Sequence, residues 1–532
     1  MKKTILKILS TSLVILLSSC FFQFNTNASF RSGRTVEGRE ISYSFSLNQE
    51  SDVNSCIDSL TALANEGSDF NRFYREYTRL YNYYEAIKDA ETMESIRFYM
   101  YGNKSAQDKS LEFSNLLTEV RSAFNSVHHI IYKNDFRYSF FEGWSDEEIL
   151  DYIGPELSEA YYAKQKELNE LISSYELLDD SSRTYYNDVE KIYIDFVKVG
   201  NEMALEAGYR NYLDMMYKEG YDRPYKYEET DHFYQYVIDY VVPFRSTLYD
   251  TVEREIDALT YSERQAAAAL YEGNAFTDSS FDYIEEYVNY FGGDMKKAFD
   301  DLWYKNKYYY ISYESKAMEA AFTTEVGDHQ VVFFGNRYEP STIVHEFGHY
   351  YAGTVVPNYT NGCFDLLETH SQGNEMLFNQ YLSQKTKLSK KVTRLLSDLQ
   401  ILDSLNAIIV STLVNEFEKC IYEDDNLLIG EADNYATRLI NESGATFFTF
   451  SNYWRHVVVN SAAYYISYAT SGIGALEIYM KAVDNLDNAK AIYDKLIHRD
   501  EEEENFINVY LSAGLISPLE EDAFKLIFNG AN

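Results

Sequence analysis

His345-Glu346-Phe347-Gly348-His349 sets two imidazoles four residues apart, with a carboxylate beside the first. On a helix those two positions share a face, so both histidines can meet one divalent cation while Glu346 reaches a water held on it. Three fixed residues arise by accident in roughly one chain in a hundred of this size, so the flanks matter. Pro340, Ser341 and Thr342 read as a helix start, and Ile343, Val344, Phe347, Tyr350 and Tyr351 supply an apolar surface that buries the helix. Gly353 and Pro357 are expected to close it after about three turns. A catalytic zinc takes three protein ligands and leaves a fourth position for water, so a third ligand is required downstream.

It follows in Leu366-Leu367-Glu368-Thr369-His370-Ser371-Gln372-Gly373-Asn374-Glu375-Met376-Leu377-Phe378, which reads as a second amphipathic helix. Glu368, Ser371 with Gln372, and Glu375 recur at helical intervals, so one polar stripe crosses an apolar surface. Such a stripe either faces water or serves the metal. Glu368 completes a His345, His349, Glu368 set for one Zn2+, and Glu375 is placed to receive the free N–H of a ligand histidine. His370 points off the stripe and is not a ligand.

Glu368-Thr369-His370-Ser371-Gln372 followed by Glu375 resembles the second zinc helix of the oligoendopeptidase F and thimet oligopeptidase family. Ala207-Gly208-Tyr209-Arg210-Asn211-Tyr212 is similar to that family's segment ahead of the catalytic region, and Leu511-Ser512-Ala513-Gly514 with Ser517-Pro518-Leu519 resembles the C-terminal end of the oligoendopeptidase F branch. Many members carry a further, non-ligand histidine where this chain has Ala352. The resemblance implies a mainly α, helical zinc-peptidase fold with a deep substrate channel, a small β element next to the active-site helix, and hydrolysis of internal bonds in short unfolded oligopeptides. It also implies roles for a third cluster, Trp454-Arg455-His456 and Tyr464-Tyr465-Ile466-Ser467-Tyr468. Tyr465 and Tyr468 would donate hydrogen bonds to the developing oxyanion with His456 assisting, although a tyrosine common five residues after that histidine is Ser461 here. With 51 tyrosines in the chain, a tyrosine-rich core segment is the competing reading.

His329-Gln330-Val331-Val332-Phe333-Phe334-Gly335-Asn336 is β-branched and aromatic and reads as a short strand in a mostly helical chain. Either its free edge pairs with a substrate backbone, or it is an ordinary hairpin strand packed on the core.

Lys2, Lys3 and Lys7 precede an apolar run from Ile8 to Leu17 that is too short to span a membrane, the layout of a secretory signal. Leu17-Ser18-Ser19-Cys20 resembles the bacterial lipobox, in which the cysteine carries lipid. Residues 1–19 are accordingly expected to be a lipoprotein signal peptide. Cys20 is the expected lipidation site and membrane anchor, which places the enzyme in the bacterial cell envelope outside the cytoplasm. Residues 20–52, rich in Asn, Ser, Thr and Arg, read as a flexible tether with a reach of roughly 30 Å. No other segment is expected to span a membrane. Phe70, Phe73, Tyr74, Tyr77, Leu80, Tyr81, Tyr84 and Ile87 step by three and four, as do Leu116, Leu117, Val120, Phe124, Val127 and Ile131. Long antiparallel helices follow, in an N-terminal helical region at 53–200 ahead of a catalytic region at 201–532.

Against 47 basic residues stand 84 acidic ones, a net charge of −37. A basic patch for nucleic acid or an anionic membrane surface is excluded by that balance, and the acidic run Glu501–Glu504 reads as solvated surface. Besides Cys20 there are Cys56, Cys363 and Cys420, an odd set with no zinc–thiolate spacing that allows at most one bridge. Two other readings stay open: a lipid-anchored peptide-binding protein without turnover, and a zinc carboxypeptidase or dipeptidyl carboxypeptidase of the same helical fold. The sequence does not bear on oligomeric state.

Overall fold

The helical periodicity is realised along nearly the whole chain. A computed structural model describes residues 36–37, 41–277, 280–355, 363–424, 426–448, 450–499 and 505–529. The signal peptide, Cys20, Pro357 and the run Glu501–Glu504 lie outside the described residues.

After a two-residue strand β1 (Val36–Glu37) come the helices α1 (Glu50–Glu66), α2 (Phe70–Tyr101) and α3 (Lys104–Tyr132). The Asp69 side chain accepts the Arg72 N–H to start α2, and Gly102, at φ 58°, ends it in the left-handed region that glycine tolerates. Asn103 caps α3 at once, which turns the chain back as an antiparallel pair. The two stepped series face each other, so Phe73, Tyr77, Leu80, Tyr84 and Ile87 share one core with Leu116, Leu117, Val120, Phe124 and Val127. The tether stops short of its expected end at 52. Phe45 is buried against Tyr83 and Phe113, and Tyr43 donates to Glu94, because aromatic side chains give this segment something to bury. This first core runs to Ile153, and a second begins at Leu168. Of the next helices, α4 (Glu159–Glu176) and α5 (Tyr185–Glu206), the second crosses residue 200 unbroken.

The sheet is completed by β2 (Tyr309–Ser312), β3 (Ala320–Val326) and β4 (His329–Gly335), in the order β1-β2-β4-β3. β3 and β4 form a hairpin that turns at Gly327, with Thr323 opposite Val332, and β4 runs parallel to β2 on its other side. The strand at 329–336 thus has no free edge, and the expectation that it receives a substrate is overturned. Its Val331, Val332, Phe333 and Phe334 are all fully buried, and an unbroken apolar run without polar alternation belongs in the middle of a sheet. Among the described residues the outer strands of the sheet are β1 and β3.

Four helices frame the site: α6 (Pro340–Val355), α7 (Phe364–Lys385), α8 (Lys390–Tyr422) and α9 (Ile466–Asp484). Gly353 does not close α6, which continues to Val355. A Cβ there would stand 1.5 Å from Gln330 Nε2 of β4, the far end of a flexible side chain that can swing aside. Gly348 gives real clearance toward α7, where a Cβ would meet backbone, His370 O at 2.7 Å and Ser371 Cα at 2.8 Å. Contrary to expectation, α8 is long and apolar enough to cross a membrane, with a mean hydropathy of 1.2 over its most apolar window. Leu405, Ile408, Val414 and Phe417 are instead packed in the second core. Cys56, Cys363 and Cys420 are free thiols.

Candidate metal centre and active site

Both histidines of α6 and the glutamate of α7 are buried, and their candidate ligand atoms lie within 4.8 Å of one another. Glu368 Oε2 stands 3.5 Å from His345 Nε2 and 3.6 Å from His349 Nε2. Donors about 2.1 Å from a tetrahedral zinc stand roughly 3.4 Å apart, so the set fits that ion as placed. Close helix packing at Gly348 makes this possible, and Asn374 of α7 secures it by donating to Val344 O at 2.8 Å.

The surroundings orient two of these three candidate ligands, His345 and Glu368. His345 Nδ1 lies 2.7 Å from Glu375 Oε1, which holds the ring proton on Nδ1 and leaves Nε2 for the metal. Gln400 of α8 donates to the other Glu375 oxygen at 2.9 Å. Ser371 donates to Glu368 Oε2 at 3.0 Å. Burial alone would raise the Glu368 carboxyl, yet His349 and His345 hold it well below the usual carboxylate range. The polar stripe of α7 faces this cluster and not water. His370 is fully buried, with Nε2 3.4 Å from Leu496 O, outside the ligand set.

Glu346 follows the first ligand histidine and is 2 % exposed. Burial raises its carboxyl above the ordinary value, with His345 and His349 opposing. Thr323 of the sheet edge donates to Glu346 Oε2 at 2.9 Å and orients it.

No family model and no curated relative matches the sequence. Solved structures do. PZ peptidase A with an inhibitor is similar at TM-score 0.72 and 15% identity over 92% of this chain and 97% of its own. A protein assigned as an oligoendopeptidase F from Bacillus anthracis str. Ames is similar at TM-score 0.70 and 14% identity, over 93% and 97%. Oligoendopeptidase-F from Enterococcus faecium is similar at 0.55 and 13%, over 92% and 99%. This chain has the oligoendopeptidase F fold.

Within that fold the tyrosine segment lies beside the candidate ligands, but not as the spacing suggested. Tyr464 donates to Glu368 Oε1, and burial together with that carboxylate pushes its phenol far above the ordinary value, so it stays a protonated donor. The rings of Tyr464 and Tyr468 are perpendicular with centroids 5.1 Å apart, and Gln372 of the polar stripe reaches Tyr468 O at 3.4 Å. Tyr465 is buried, its ring against Tyr453 and Tyr468. His456 differs from these. It is exposed and stacks on Tyr185 of α5, with Nδ1 3.4 Å from that hydroxyl.

Sequence reasoning passed over Tyr464, Thr323, Gln400, Arg223 and Asp365. One signal was present: Asp365 precedes Glu368 by three and continues the same stripe. Arg223 carried none, because nothing local marks an arginine whose partners lie 142 and 240 residues away.

Proposed function

We propose that the chain is a zinc-dependent endopeptidase that hydrolyses internal bonds of short, unfolded oligopeptides. The observation that carries this reading is the buried convergence of His345, His349 and Glu368 with Glu346 next in chain to the first. One Zn2+ held there would supply Lewis-acid polarisation of the peptide carbonyl and a bound water acidic enough to ionise near neutral pH. Glu346 takes the proton of the attacking water and returns it to the leaving amine. Tyr468 and Tyr465, by resemblance, donate to the oxyanion with His456 assisting, while Tyr464 holds Glu368. An extended peptide adds to the unpaired edge of β3, whose Thr323 already touches the base. His345 and Glu346 are 3 % and 2 % exposed, which favours slender unfolded peptides over folded proteins. Lipid on Cys20 then anchors the enzyme to the outer side of a bacterial membrane, which labelling with a tagged fatty acid tests by comparing Cys20→Ala.

The decisive experiment is an internally quenched peptide blocked at both ends, offered to protein of measured zinc content. Internal cleavage with one zinc per chain supports the proposal. Cleavage only of peptides with a free C-terminus assigns a carboxypeptidase or dipeptidyl carboxypeptidase. Binding without cleavage by a zinc-loaded chain assigns the peptide receptor.

A further inference from the structure

A guanidinium taken out of water is costly unless its donors are matched, so what surrounds a buried arginine shows what it is for. The Arg223 side chain is fully buried, as is that of Asp365, which accepts from its Nε at 3.1 Å. Its remaining donors go to the segment ahead of α9. Nη1 donates to Ala463 O at 2.8 Å, and Nη2 to Tyr464 O at 3.3 Å and to Ser467 Oγ at 2.7 Å. The guanidinium lies over the rings of Tyr217 and Tyr221, 4.3 and 4.6 Å from their centroids. Tyr221 in turn donates to Ala462 O at 2.8 Å. Three successive carbonyls are thus held by residues 221 and 223, the last of them, Tyr464 O, also accepting the Ser467 N–H of α9 at 2.9 Å.

From the opposite side Glu418 of α8 accepts the Ala463 N–H at 2.8 Å, and Ala463 sits at φ 61°, a conformation that non-glycine residues adopt only when held. Asp365 is bonded as well by Tyr225 at 2.6 Å, Ser467 at 3.2 Å and Thr470. It lies one helical turn before Glu368 on α7. The contacts therefore close a ring: Asp365 to Arg223, Arg223 to the Tyr464 backbone, the Tyr464 hydroxyl to Glu368, and Glu368 back along the helix to Asp365.

We propose that Arg223 is a positioning residue for the metal centre, acting through Tyr464 to fix the carboxylate of Glu368, a role that rests on the metal reading given above. Arginine is suited to it because one planar group serves a carboxylate and two carbonyls at once; the point charge of lysine cannot.

The test is a double-mutant cycle read by zinc affinity. The full chain, stripped of metal and titrated with Zn2+ against a chromophoric chelator, is compared with Tyr464→Phe, Arg223→Met and the pair. Each single change is expected to weaken Zn2+ about tenfold, as loss of a partner to a metal ligand does. The pair is expected to lie within about twofold of the weaker single variant, as for residues acting through one contact. A pair near the product of the two losses, or unchanged affinity in folded Arg223→Met, overturns the proposal. Because Arg223→Met leaves Asp365 buried without its partner, Arg223→Met with Asp365→Leu replaces it in the cycle if thermal melting shows the single variant unfolded. Coupling in the cycle with no cleavage by wild type defeats the peptidase reading alone. Normal cleavage with multiplicative losses defeats this proposal alone, and a wild-type chain that binds no Zn2+ defeats both.

Discussion

The candidate metal ligands and the tyrosine segment lie against each other at Glu368, yet they are held in opposite ways. His345, Glu346 and His349 sit within one and a half turns of a single helix, and Glu368, Ser371 and Glu375 line one face of another. Residues 462–467 have no such regular support on their N-terminal side. They are held by side chains of Tyr221, Arg223, Asp365 and Glu418, and Asn460 is gripped from α4 by Glu176 at 3.3 Å. A ligand cluster can thus be written into helical spacing, whereas the groups that tune it depend on contacts made across the whole fold.

The sharpest way to break that contrast is at the base. Glu346→Gln is expected to keep one zinc per chain and to lose about 10³- to 10⁴-fold in kcat on the blocked peptide, whereas His345→Ala loses metal and turnover together. Full activity in metal-verified Glu346→Gln would remove the assigned base. On the tyrosine side, Tyr468→Phe is expected to lower kcat by about 10²-fold with zinc content unchanged, since an oxyanion donor acts late in the reaction and not on the ion. A loss of zinc instead would make Tyr468 part of the metal's support.

Smaller effects separate packing from chemistry. Gly348→Ala forces a methyl into the backbone of α7, and a cost of about 1–3 kcal/mol in thermal or urea unfolding is expected, with weakened zinc binding because the ligands straddle that contact. An unchanged melting temperature would mean that the two helices can part without penalty. Ala463→Gly relieves the positive φ and is expected to stabilise by up to about 1 kcal/mol, with kcat lowered if the strain is what aims the tyrosines.

A further effect concerns pH. Burial pushes the Glu418 carboxyl up to about 8, with the Ala463 N–H and Arg223 pulling the other way. A carboxyl raised in the folded state favours folding most when protonated in both states, below about 4.5, and that advantage is lost as pH climbs through about 8. Glu418→Gln, which still accepts the Ala463 N–H, should flatten the fall in melting temperature between pH 5 and 9. An equal fall in both proteins would show that Glu418 is not buried as a neutral acid.

The convergence of His345, His349 and Glu368 was legible because a candidate metal site on two helices obeys the 3.6-residue period, and the α7 stripe faces that cluster. The strand at 329–336 was legible as a strand but not as a central one, since an apolar run carries no mark of which edge remains unpaired. Glycine misled in a similar way. Gly353 reads as a helix stop, yet α6 runs through it to Val355, with the Gln330 side chain of a neighbouring strand against it. The tether likewise read as polar and unstructured up to 52, although Tyr43 and Phe45 had partners waiting on α2 and α3.

By itself the order of residues determined the helical class, the pair of α6 histidines, the glutamate beside the first, and the carboxylate stripe of α7. All of these are set by neighbours a few positions apart, where side-chain direction follows from backbone geometry alone. The tertiary structure alone decided that Tyr464 meets Glu368, that Arg223 pins the segment carrying it, and that the strand at 329–336 lies inside the sheet while β3 lies at an edge. Such pairings are chosen by burial and by the need to satisfy every polar group removed from water, and those demands act only once distant parts of the chain have packed together.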